Sequence, residues 1–280
     1  MYGAYILNKL ITNKTFIVTG AAGGIGKRLV EDMLNMDVNI VATDIDISLL
    51  RNYLTSRPNN SSKLLVMKHD VVSEKDWLSI LSEIDSKGWD LYGLINCAAV
   101  LLPGYIKNIQ IKDIDYHFDI NTKGTILGCT IVSQYLKKNN KKGHLINIAS
   151  LAGVAPIPGI ALYSASKFAV RGFSIALGYE LNSEGILVSV ICPDAVNTPM
   201  LDLQVPYEEA SLTFSGSTLQ PSDISNTIIN TINNYKLEIL IPSYRGIIAK
   251  LGNFFPSLAY WIISPLKKKG RNNQNKIKST

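Results

Sequence analysis

At 280 residues, 46% hydrophobic and 18% charged, the chain can fill a sizeable core, which argues against wholesale disorder. Its formal charge of +6 sits at the end: eight basic and no acidic residues follow Ile239, leaving 20 basic against 22 acidic residues before it, so the body does not read as nucleic-acid-binding. Cys97, Cys129 and Cys192 lie far apart in apolar contexts, and neither they nor His69, His117 and His144 have metal-ligand spacing, so buried free thiols in a reducing compartment and no metal are expected.

Met1–Asn13 lacks the order of a leader peptide, and a core strand follows at once, so the expected location is the cytoplasm. The apolar run Thr15–Thr19 predicts a buried strand and Ile25–Met36 a helix. Strands follow at Val38–Thr43 and Leu64–Lys68, a helix at Trp77–Ile84 and a strand at Gly93–Asn96. A long helix is expected over Ile114–Leu136, a strand at His144–Ala149, a helix at Tyr163–Leu181 and a strand at Leu187–Cys192. The helix Asp223–Asn233 and the strand Leu237–Ile241 complete the pattern. Such alternation needs crossover connections, and these give an α/β fold: one Rossmann-type, doubly wound parallel sheet spanning residues 1–242. Residues 243–280 are set apart as an amphipathic, basic C-terminal extension.

Directly after the first strand stands Thr19-Gly20-Ala21-Ala22-Gly23-Gly24-Ile25-Gly26, and a helix follows. Glycines at 20, 24 and 26 allow a sharp turn and close backbone approach to a pyrophosphate, whose charge suits the free N–H groups and positive dipole end of the helix. Asp44 ends the second strand, where an acid can bind the adenosine ribose hydroxyls and would repel a 2′-phosphate. No Arg or Lys interrupts the glycine loop or immediately follows Asp44, so NAD is favoured over NADP.

The run TGAAGGIG resembles the TGxxxGIG motif of the short-chain dehydrogenase/reductase family, with Gly20, Gly24, Ile25 and Gly26 as its cofactor-facing positions. Asp70-Val71 after the third strand resembles that family's adenine contact, and Asn96-Cys97-Ala98-Ala99 its NNAG motif with two substitutions. The resemblance covers about Lys14–Pro242, with its motifs in the family's order.

Tyr163 and Lys167 are four apart on one helix, hence on one face. A free phenol is a poor base at neutral pH, and a nearby ammonium is expected to favour the phenolate. Ser150 follows the strand HLINIA at the carboxyl edge, where ligands of open sheets bind. The resemblance implies Tyr163 as acid/base, Lys167 as its modulator and a ribose ligand, Ser150 as holder of the substrate oxygen and Asn121 as support of a water-linked proton relay. Pro193–Met200 resembles the family's PGxVxT segment, which implies that Val196 and Thr198 meet the nicotinamide carboxamide. Asp194 stands where that segment usually has glycine, which puts the local backbone in question.

The segment Leu201–Leu219 has no strong period and is expected to cover the site as a substrate loop or lid. Beyond the last strand Ile247, Ile248, Leu251, Phe254, Phe255 and Leu258 recur at helical spacing, opposite Lys250, Asn253 and Ser257. Lys250 and Pro256 argue against a membrane span; the pattern suits either peripheral contact with an anionic bilayer or packing on the body or a neighbouring subunit. The basic, Asn-rich Lys267–Thr280 is expected to be disordered.

The implied reaction is reversible hydride transfer between NAD(P) and a carbonyl or secondary alcohol. A membrane-facing tail would suit a lipophilic substrate such as a long-chain 3-oxoacyl, 3-ketosphinganine, sterol or retinoid compound. Two rivals stay open: a non-catalytic NAD-binding sensor or scaffold, and a lipid-surface protein whose tail matters more than its chemistry. The family resemblance also implies a homo-oligomer.

Overall fold

The computed structural model describes residues 11–48, 50 and 62–278, with the side chains of 258–260 and 262 left out. The reading of Met1–Asn13 as leaderless therefore lies largely outside the described residues. Seven parallel strands form one sheet: β1 (Lys14–Thr19), β2 (Asn39–Asp44), β3 (Leu64–Lys68), β4 (Asp90–Asn96), β5 (Gly143–Ile148), β6 (Ile186–Pro193) and β7 (Glu238–Ile241). Their order across the sheet is β3-β2-β1-β4-β5-β6-β7. The order reverses between β1 and β4, which opens a crevice at their carboxyl ends. Registers of Thr19 with Asn96 and Asn96 with Asn147 bring the strand-end motifs to that one edge.

Helices cover both faces, as parallel strands buried on both sides require. On one face α1 (Gly24–Leu34) and α6 (Pro221–Asn233) bury Leu29, Val30, Met33, Ile224 and Ile228 against Phe16, Val18 and Ile40. On the other, α2 (Glu74–Ser86) and α4 (Gly124–Lys138) bury Trp77, Ile80, Val132 and Leu136 against Ile17, Leu94 and Leu145. Gly128 lets the two helices close up, since a Cβ there would stand 2.5 Å from the Trp77 ring. Burying an indole contributes roughly 3 kcal/mol, so even Gly128→Ala would disturb this face.

The long helix expected over Ile114–Leu136 has a break inside it. α3 (Ile111–His117) passes through a π-helical turn (Phe118–Lys123) into α4. The helix expected at Tyr163–Leu181 is α5 (Ala161–Leu181).

Past β7 the chain forms α7 (Ser243–Phe254) and α8 (Pro256–Lys278). The expected disorder of Lys267–Thr280 is corrected here as far as Lys278, since α8 continues through those residues. Composition alone hides the reason: α8 packs along the 3-10 segment Glu208–Ser215, and Gln274 is buried there. By contrast α7 touches β7 through Gly246, whose Cβ would meet Leu240 at 2.3 Å, and leaves Ile247, Ile248, Leu251 and Phe254 between 57% and 78% exposed. Among the described residues no helix is long and apolar enough to cross a membrane.

Candidate active site

The glycine loop is built for a dinucleotide. Gly20 takes a φ of +63° with Ala98 backbone so near that a Cβ would lie 2.7 Å from it, so a side chain is excluded twice over. A Cβ at Gly26 would stand 2.3 Å from the Gly20 carbonyl oxygen, which fixes the tight entry into α1. Ala22 N–H donates to Asp44 Oδ2 at 2.9 Å, and Asp46 N–H donates to Oδ1 at 3.1 Å, so the carboxylate is fixed beside the loop. Free N–H groups at the start of α1, a backbone cradle that side chains would fill and an acid at the end of β2 fit a nicotinamide dinucleotide.

Asp70 and Val71 follow β3, with Trp77 Nε1 donating to the Val71 carbonyl at 3.0 Å. The Asn96 side chain turns into the sheet: Nδ2 donates to Asn147 Oδ1 at 2.9 Å, and Asn147 donates onward to Ser174 Oγ at 2.9 Å. Its amide thus pins β4 to β5 rather than facing the cavity. Thr19 Oγ1 accepts from Cys97 and Ala98 N–H, both at 3.2 Å, and ties β1 to that turn.

Ser150, Tyr163 and Lys167 line one cavity, together with Ile25, Val196 and Thr198. Ser150 reaches it from the end of β5, where its Oγ accepts from Ala152 N–H at 3.0 Å. Tyr163 and Lys167 reach it from the first turns of α5. Lys167 Nζ donates to the Ile148 carbonyl at 2.8 Å and stands 5.7 Å from the Tyr163 ring centroid.

The expected lowering of the Tyr163 pKa by Lys167 is not what this geometry produces. Burial pushes the phenol up to about 12, against a partial opposing pull from its hydrogen bond to Ser150. Burial also brings Lys167 down to about 8, against the opposing influence of Cys97 and Cys192. The ammonium is directed at a carbonyl and a ring face, and burial dominates the shift of both groups.

Asn121 sits in the π-helical turn, fully buried. Its Oδ1 accepts from Val100 N–H at 2.7 Å, and Nδ2 donates to the Val100 carbonyl at 2.9 Å and to Ser166 Oγ at 3.0 Å. Both amide hydrogens are committed, so the side chain clamps the loop after β4 to α5. Ser166 in turn donates to the Tyr163 carbonyl at 2.8 Å. The sequence offered no signal for Ser166, because its partner lies on another helix.

After β6, Thr198 Oγ1 donates to the Val196 carbonyl at 3.2 Å, and its Cγ2 would stand 2.5 Å from a Cβ at Gly24. The backbone question at Asp194 has a plain answer. The described non-glycine residues with positive φ are Asn13, Asp37 and Asn140, so position 194 needs no glycine. Its carboxylate is paired with Arg245 of α7, a partner that local sequence could not reveal. Leu201, Gln204 and Thr213, from the segment expected to form a lid, line the same cavity as Ser150. Cys129 and Cys192 are buried free thiols as expected, whereas Cys97 is half-buried at the cavity.

Residues 14–208 match the family model for short chain dehydrogenases. The chain is 30% identical over 231 residues to a diacetyl reductase [(S)-acetoin forming] of Staphylococcus epidermidis, covering 77% of this chain and 90% of that one. It is 28% identical over 229 residues to a 3-beta-hydroxysteroid dehydrogenase of Comamonas testosteroni, covering 78% and 88%. In structure it is similar to a short chain dehydrogenase/reductase from Burkholderia phymatum in complex with NAD, with a TM-score of 0.79, 20% identity and coverage of 89% and 96%. It is also similar to ElxO with NADP bound, with a TM-score of 0.71, 20% identity and coverage of 81% and 96%. At that identity the structural likeness speaks for the fold.

Proposed function

The chain belongs to the short-chain dehydrogenase family of NAD(P)-dependent oxidoreductases, and from that premise we propose that it transfers a hydride between NAD and a lipophilic ketone or secondary alcohol, with Tyr163 as the proton-transferring group. The observation that carries this reading is the meeting of Ser150, Tyr163 and Lys167 in one cavity beside Ile25, Val196 and Thr198. A protein that only sensed or displayed the cofactor would not need that set.

The bound cofactor supplies the nicotinamide carbon that carries the hydride and, when oxidised, a positive ring that favours a phenolate. In the reducing direction the substrate oxygen would be held by the Ser150 hydroxyl and would take the proton from Tyr163 Oη, whose O–H bond breaks to leave a phenolate that regains a proton from solvent. Oxidation runs the same steps in reverse. Lys167 holds the β5 end through the Ile148 carbonyl and is the candidate ribose ligand. Asn121 acts here by position: it fixes Val100 and, through Ser166, the first turn of α5. Gly20, Gly24, Gly26, Asp44, Asp70 and Val71 are assigned to the adenosine and pyrophosphate half, and Asn96 to the turn that backs it.

Asp44 supports NAD over NADP, because a carboxylate at the end of β2 beside the glycine loop would repel a 2′-phosphate. Apolar walls from Leu101, Ile157, Ile160, Met200 and Leu201 support a lipophilic substrate of the long-chain 3-oxoacyl, 3-ketosphinganine, sterol or retinoid kind. The named activities of the two relatives differ too much in size to choose among these. We assign residues 1–242 to catalysis in the cytoplasm and residues 243–280 to an extension. Exposed Ile247, Ile248, Leu251, Phe254 and Trp261, with Lys268 and Lys269 further along, support peripheral contact with an anionic bilayer. Exposed Ile111 and Tyr179 on α3 and α5 support self-association.

The test is cofactor reduction with NAD and with NADP over a panel of lipophilic secondary alcohols, for the natural chain and Tyr163→Phe. NAD-linked turnover that disappears in Tyr163→Phe supports the proposal. Turnover that survives in the variant refutes it. Co-sedimentation with phosphatidylserine vesicles at low and high salt tests the bilayer contact, and sedimentation velocity tests the assembly.

A further inference from the structure

One wall of the cavity belongs to the chain between Thr198 and Ser215, which is made of a helical turn and a 3-10 segment. Such a segment satisfies some of its backbone carbonyls by i→i+3 bonds, as Tyr207 N–H does for Gln204 and Ala210 N–H for Tyr207, but not the Val205 carbonyl, and a buried carbonyl without a donor is costly. The last described helix supplies the missing donor and adds further ones. Gln274, 1% exposed, directs its Nε2 at three carbonyls: Gln204 at 3.0 Å, Val205 at 2.9 Å and Tyr207 at 2.7 Å. Its two amide hydrogens are shared among three acceptors. Asn273 Nδ2 donates to the Phe214 carbonyl at 2.9 Å, and Arg271 meets Glu208 at 2.5 Å. Gly270 permits this approach, because a Cβ there would stand 1.9 Å from the Ser211 carbonyl oxygen.

From Gln204 the connection continues into the cavity. Its Oε1 accepts from Thr213 Oγ1 at 2.9 Å, and its Nε2 donates to the Met200 carbonyl at 3.3 Å. Met200, Gln204 and Thr213 all line the cavity that Ser150 also lines.

We propose that Gln274 is a positioning residue of the active site: the C-terminal helix fixes the Gln204–Thr213 wall through it and thereby takes part in selecting the substrate. The kinetic consequence rests on the hydride-transfer reading above; the clamp itself does not. α8 is then part of the substrate site, although Gln274 touches carbonyls that lie 67 to 70 residues earlier in the chain. The Gln204 and Tyr207 carbonyls each also accept a backbone N–H, from Tyr207 and Ala210, both at 3.1 Å, whereas among the described residues the Val205 carbonyl has Gln274 as its one donor.

Gln274→Met keeps the bulk of the side chain and removes both hydrogens. Asn275→Ala, at an exposed neighbouring position, serves as the control. Amide hydrogen exchange over residues 200–215 is measured in the full-length proteins, beside NADH binding by fluorescence and the kinetics of whichever panel substrate turns over. In Gln274→Met exchange over 203–215 rises about tenfold, NADH binding is unchanged, and substrate KM rises severalfold while kcat changes less. In Asn275→Ala none of these moves. Asn273→Ala, a milder change, raises exchange chiefly near Phe214 and keeps the proposal open to test should Gln274→Met fold poorly. Unchanged exchange in the Gln274 and Asn273 variants overturns the clamp. Faster exchange with an unaltered substrate KM overturns the selection role. A natural chain inactive on every panel substrate counts against the hydride-transfer reading, while exchange still decides the clamp.

Discussion

Asp194 and Arg245 join the loop after β6, which lines the cavity, to the first helix beyond the sheet. The carboxylate is 9% exposed and the guanidinium 23%, and Arg245 Nη2 also donates to Ser215 Oγ at 3.3 Å. Gly216 makes room, since a Cβ there would lie 2.5 Å from Arg245 Nη1. Burial raises the Asp194 pKa, and the nearby Arg245 charge holds it back. Removing Arg245 alone would strand a buried carboxylate, which costs several kcal/mol in dry sites. With the guanidinium partly wet, Arg245→Met is expected to cost about 2 kcal/mol in urea unfolding. Adding Asp194→Gly should restore most of it. Equal stabilities for the single and double variants would show that the pair contributes nothing.

The chemical groups are separable by kinetics. Tyr163→Phe and Ser150→Ala are each expected to lower kcat/KM by at least about a hundredfold, the usual weight of a positioned proton donor or oxygen holder. NADH should still bind both variants in a fluorescence titration, because neither change touches the glycine loop. A joint loss of binding and turnover would point instead to a collapsed site.

Cofactor choice should follow Asp44. Replacing it by Ser removes the charge that opposes a 2′-phosphate while keeping an acceptor for Ala22 N–H. The ratio of kcat/KM for NAD over NADP is expected to fall by about tenfold or more, which is about 1.4 kcal/mol of discrimination. An unchanged ratio would remove Asp44 from the specificity argument.

Acid should destabilise the fold through two buried histidines. Burial brings His69 and His144 each down to about 4, so both are neutral in the native state at neutral pH. Between pH 6.5 and 4 the unfolded chain binds these protons and the native chain does not. Stability therefore falls as pH drops through that window, by roughly 3 kcal/mol per histidine at most. Urea melts at stepped pH should show a shallower decline in His144→Gln, whose amide can still meet Ser189 Oγ, the 2.8 Å partner of His144 Nε2. Parallel declines in the two proteins would exclude His144 as a source.

Strands, their order of chemistry and the glycine loop were legible before any coordinates, because each is a local pattern. Apolar runs such as Thr15–Thr19 can only be buried strands, TGAAGGIG needs its glycines for a turn visible in the same eight residues, and Tyr163 and Lys167 share a face by helical spacing alone. Tertiary structure decided whatever depends on partners far along the chain. The side chains of Asn96 and Asn121 proved to be clamps because Asn147 and Ser166 stand opposite them. Tyr163 rises rather than falls in pKa because burial is a property of the packed site. Arg245, Gly270 and Gln274 carried no signal, and a basic, Asn-rich tail read as disorder until α8 met the carbonyls of Gln204, Val205 and Tyr207. Sequence determines what a segment can form by itself; which buried donor meets which acceptor is settled only when the sheet brings them together.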